Sequence, residues 1–232
     1  MSQSPGQTPQ DPPTLAEDLL LLLFQPDSGT IAGENTLFYV LAGAVLADLA
    51  LDERLTSTTT GLGVTSVVAV EGRAPAEEIQ RTAWEYVVDK PRAVQTVLPA
   101  IGPTLRGPLL DRLIARGDIR RHRRKALGLF ETTVLRDGGT GRRARLLHDV
   151  RALLVDGAGS TPRTAALAGL IWAGGTLPQF DPDIPWTSAV IARAQELERG
   201  RWDVGAAAEA VTRTLTAIIT NSVIVATTVA PR

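Results

Sequence analysis

Asn35–Leu51, NTLFYVLAGAVLADLAL, decides the fold, because Asp48 is its only charged residue and its apolar residues fall on every side of a helix. A helix that is hydrophobic all round belongs inside a protein or a membrane. At 1.5 Å per residue this one reaches roughly 25 Å, short of the ~20 apolar residues that a span needs. Ala42, Gly43, Ala44 and Ala47 would let neighbouring helices pack closely against it. The stretch therefore reads as the buried central helix of a mainly α, single globular domain, with Asp48 requiring a polar partner in the core.

Outward from that helix, T-L-A-E at Thr14–Glu17 forms a capping box, and a helix runs from it through five leucines to Phe24. Pro26-Asp27-Ser28-Gly29 turns the chain towards the central helix. Residues 1–13, rich in Pro, Gln and Ser, read as a disordered tail, which leaves 14–232 as the domain. Beyond Arg54 the period changes. Thr- and Val-rich runs at Leu55–Thr60 and Val64–Val70 flank a Gly-Leu-Gly turn and read as a first short β-hairpin. Helices follow over Pro75–Asp89, Arg92–Leu98 (stopping before Pro99) and Leu105–Ala115. Ile119–Lys125 and Gly128–Leu135 read as a second hairpin, followed by a helix over Thr140–Asp156. Thr161 with Pro162 opens the next helix, which runs to Trp172. A Pro-rich loop, an amphipathic helix over Trp186–Arg199 and a last helix capped by Asp203 complete the chain.

Composition excludes several chemistries. The absence of cysteine removes disulfides and thiolates, and His122 and His148 are the only histidines. No phosphate-binding loop, G-x-S-x-G or H-E-x-x-H pattern occurs, so the chain reads as non-enzymatic, with no metal site and no cofactor. No basic–apolar–small leader opens the sequence, which makes the cytoplasm the expected compartment. The 22 arginines against 2 lysines fit a GC-rich, bacterial-type source.

The net charge of −1 hides an asymmetry. Arg106–Arg151 holds 13 basic and 5 acidic residues, whereas the rest of the chain holds 11 and 20. Such separation points to an anionic partner: membrane lipid, phosphate or nucleic acid. Arg120, Arg121, Arg123 and Arg124 crowd the first strand of the second hairpin. Arg142 and Arg145 are expected to share the solvent side of the next helix's first turn, where the dipole and free amides favour an anion. Exposed there, they should be dispensable for folding. The basic helix and hairpin at 105–135 also have a winged-helix flavour, which makes duplex DNA the rival ligand. It ranks second, because that helix offers few base-reading side chains. An exposed hairpin could also join two copies into a homo-oligomer.

Four stretches in order, TLAEDLLLLLF with its D-S-G turn (14–29), LAGAVLADLALDERL (41–55), RLIARGDIRRHRRKALGLF (112–130) and TPRTAALAGLIWA (161–173), resemble the Golgi phosphoprotein 3 family. The resemblance implies a mostly helical domain and a peripheral membrane protein, able to carry a protein cargo, that binds phosphatidylinositol 4-phosphate or a similar phospholipid. It implies a headgroup pocket whose basic residues correspond to Arg142, Arg143 and Arg145. The family's pocket tryptophan and central-helix arginine fall at Gly33 and Ala42 here.

Overall fold

The computed structural model describes residues 12–59, 64–126, 130–200 and 209–229. Residues 1–11 of the expected 1–13 tail and the Asp203 cap lie outside the described residues. α1 (Leu15–Leu23) starts at the foreseen capping box: the Thr14 amide donates to Glu17 Oε2 at 2.8 Å, and the Glu17 amide donates to Thr14 Oγ1 at 3.2 Å. Every residue of α1 is buried, Glu17 and Asp18 included. A turn between β1 (Phe24–Gln25) and β2 (Thr30–Ile31) leads to α2 (Leu37–Leu51).

α2 is the centre of the molecule, with 13 of its 15 residues buried. Gly43 explains how its neighbours approach so closely. A Cβ there would stand 2.9 Å from both the Leu170 side chain and Ser222 Oγ, so any larger residue would have to push these neighbours aside. β3 (Leu55–Thr59) and β4 (Thr65–Ala69) form the first hairpin. α3 (Glu78–Val88) begins three residues after Pro75, because the Glu77 carboxylate caps it through the amides of Ile79 and Gln80.

The helix expected at Arg92 is displaced. Arg92–Ala93 forms β5, a third strand on β4, and α4 (Val94–Ile101) then runs through Pro99. Gln95 and Pro99 are both exposed, so the bond that Pro99 cannot make falls on the wet side of the helix.

α5 (Arg106–Ala115) leads into the second hairpin, β6 (Ile119–Ala126) with β7 (Phe130–Asp137). α6 (Arg142–Arg151) continues as a π-helical turn to Asp156, and α7 (Pro162–Ala173) starts with Thr161 Oγ1 accepting from the Thr164 amide. α8 (Ser188–Glu198) and α9 (Glu209–Val229) close the fold. α1, α4, α7 and α9 pack around α2. The architecture is mainly α with short antiparallel strand pairs, and none of the described helices is long and apolar enough to cross a membrane.

Candidate functional site

The start of α6 differs from its expected geometry. Arg142 does not face solvent: its side chain is 12% exposed and turns inward between two buried carboxylates. Its Nε and Nη2 donate to Asp18 Oδ1 at 3.0 and 2.6 Å, and its Nη1 donates to Asp118 Oδ2 at 2.6 Å. The physical reason lies in α1. Burying the first turn of a leucine helix also buries Glu17 and Asp18, and buried carboxylates draw in any cation within reach. Arg142 is therefore structural.

Arg143 also points back into the protein. Its Nε donates to the Phe24 carbonyl at 2.9 Å and its Nη2 to Leu22 O at 3.5 Å, which covers the C-terminal carbonyls of α1. Burial pulls its pKa below the usual arginine value, against the opposing charges of Asp183, Asp137 and Asp27. Of the three arginines, only Arg145 is exposed.

The same logic continues around α1. Arg163, at the start of α7, donates to Asp18 Oδ2 through Nε and Nη2 (3.0 and 2.6 Å) and to Asp48 Oδ1 through Nη1 (3.1 Å). Asp48 also accepts from the Leu15 amide at 2.6 Å, so the core acid of α2 has the partner it requires. Arg116 Nε donates to the fully buried Glu17 at 2.8 Å. Sequence reasoning missed Arg163 and Arg116. The signal was two acids inside a helix otherwise made of leucine and alanine, which need buried cations from elsewhere in the chain.

The second hairpin behaves differently. Ile119 at its root is fully buried, yet Arg120, Arg121, His122 and Arg123 are all exposed, so consecutive residues on both faces of β6 meet solvent. Arg124 holds its place on β6, and its side chain falls outside the described residues. Register sets Arg120 directly opposite Arg136 on β7, and both are exposed. Arg121 pairs at the surface with Asp111 at 2.7 Å. The cationic surface is thus the projecting hairpin, joined by Arg136, which the sequence reading left outside the candidate site.

Helix α5, the other half of the rival DNA-binding unit, has its arginines engaged. Arg106 pairs with Glu34 at 2.8 Å and Arg112 with Glu77, and just past the helix Arg116 pairs with Glu17.

Of the two pocket positions that the resemblance puts at Gly33 and Ala42, neither offers an aromatic or charged side chain. Ala42 is fully buried inside α2. Gly33, at φ +69°, lies against Thr176 and Gly174, past the C-terminal end of α7, whereas Arg142 shares Asp18 with Arg163 at its N-terminal end. A 12-residue helix separates these ends by roughly 18 Å.

No curated protein matches the chain. The family model described as Golgi phosphoprotein 3 (GPP34) matches residues 15–216, from the first residue of α1 into α9 and across the central helix and both hairpins. On that match the chain belongs to the Golgi phosphoprotein 3 family.

Proposed function

We propose that this chain is a non-enzymatic, peripheral membrane protein that docks from the cytoplasmic side on anionic lipid through the β6–β7 hairpin. The observation that carries the reading is the exposure of Arg120, Arg121 and Arg123 on both faces of a projecting strand, with Arg136 across from Arg120. Two guanidinium groups directly opposite one another repel, and a shared anion relieves that repulsion. Each arginine at an anionic surface contributes on the order of 1 kcal/mol within a Debye length of ~8 Å. Four of them give reversible, salt-sensitive attachment. Arg145 adds charge at the start of α6, whereas Arg142 and Arg143 hold the scaffold. Membership of the family supports lipid binding in general. Phosphatidylinositol 4-phosphate itself rests on the resemblance, without the family's tryptophan and central-helix arginine at Gly33 and Ala42.

Co-sedimentation with vesicles of graded phosphatidylserine content tests this. Pelleting should rise with anionic fraction and fall with salt. Equal pelleting with neutral phosphatidylcholine vesicles refutes the proposal.

A further inference from the structure

Asp18, Asp48 and Asp118 have side chains only 4–7% exposed, and they face two guanidinium groups, those of Arg142 and Arg163. Glu17 and Arg116 form a balanced pair beside them. Among the described residues, three buried negative charges on two positive ones leave a surplus that a low-dielectric interior does not tolerate. We propose that this cluster keeps one proton, held on Asp48, and that its release weakens the junction of α1 with α2 and α7, a pH-sensitive clamp built into the fold.

The proton belongs on Asp48 because Asp48 has the weakest cationic support. Asp18 accepts four guanidinium N–H bonds from two arginines. Asp118 accepts from Arg142 and from the Thr140 hydroxyl. Asp48 accepts one guanidinium N–H, at 3.1 Å, and the Leu15 amide.

The charged groups around Asp48 come from few elements. Among the described residues, Arg163 of α7 contacts Asp48 directly and links it to Asp18 of α1 and, through Arg142 of α6, to Asp118 between α5 and β6; Glu17 of α1 with Arg116 stands beside Asp18, and Asp52 lies at the end of its own helix. β3 and α4 hold no charged residue, nor does α9 from Thr214 to Ser222, and the charged side chains of α3 (Glu78, Arg81 and Glu85) belong to exposed residues. Burial pushes Asp48 up to about 7, against the lowering pull of Arg163 and the Leu15 amide. Burial also works against the charge of Arg163, but Asp48 and Asp18 outweigh it and its pKa stands above the usual value. Once Asp48 is ionised, it competes with Asp18 for Arg163, the most exposed member of the cluster at 35%.

The unfolded chain releases this proton near the ordinary value of 3.8, and the folded chain holds it to about 7. The contribution to stability is therefore complete below 3.8 and lost as pH rises through 7. Between those limits the folded-to-unfolded ratio falls by up to about tenfold per pH unit. Urea unfolding of the full chain and of Asp48→Asn from pH 5 to 8 tests it. The wild type should lose about 100-fold in folding equilibrium relative to the variant across that window. Parallel profiles overturn the proposal. Carbon-13 carboxyl NMR of aspartate-labelled wild type needs no variant to fold. One buried aspartate should titrate near neutrality, and full ionisation of every aspartate by pH 5 overturns the proposal equally.

Discussion

Replacing Arg142 by alanine should destabilise the fold severely, although a sequence reading places it on a solvated helix end. The substitution strips Asp118 of its only guanidinium partner among the described residues and leaves Asp18 with Arg163 alone. Removing one member of a buried ion pair costs about 3–5 kcal/mol, because the remaining charge stays buried and uncompensated. In a domain of roughly 200 residues each kcal/mol moves the melting temperature by about 2–4 °C, so the shift should be on the order of 10 °C. Arg145→Ala, one turn along and exposed, should stay within about 0.5 kcal/mol of wild type. Thermal and urea melts followed by circular dichroism compare the two directly. Coincident melts for both variants would refute the claim that Arg142 is a core residue, and Arg142 would return to the list of ligand contacts.

Two further substitutions probe the scaffold that positions the hairpin. Gly29→Ala should destabilise by more than about 1 kcal/mol, since Gly29 sits at φ +74° and a Cβ would come 2.7 Å from the Leu135 carbonyl of β7; an unchanged urea midpoint would contradict that close approach. Thr14→Ala should lower stability by about 0.5–2 kcal/mol through loss of the α1 cap, and amide exchange should rise first at Glu17, the amide that Thr14 Oγ1 holds.

The elements were legible where local chemistry decides them. The central helix, the Thr14 capping box, the Thr161–Pro162 start of α7 and both hairpins follow from periodicity and caps that act within a few residues. The register of the second hairpin, and with it the opposition of Arg120 and Arg136, needed the ladder itself. What local reading could not give was the direction of the α6 arginines. Arg142 and Arg145 are three residues apart and look equivalent on a helical wheel. Asp18, 124 positions away in the chain, pulls the first inward and leaves the second in water. Arg163 was hidden for the same reason, as its partners Asp18 and Asp48 lie 145 and 115 residues away. Charge counting marks the basic stretch but cannot separate arginines that neutralise buried acids from those exposed on the hairpin.

The most direct test of the lipid-docking account is vesicle flotation of the full chain carrying Arg120→Glu, Arg121→Glu and Arg123→Glu together, at matched anionic lipid content. These side chains are exposed, so the variant should fold with a melting curve close to wild type. The account predicts that it loses nearly all binding to phosphatidylserine vesicles, while Arg145→Glu alone weakens binding only a few-fold. Undiminished flotation of the folded triple variant would contradict the assignment of the hairpin as the membrane-docking surface.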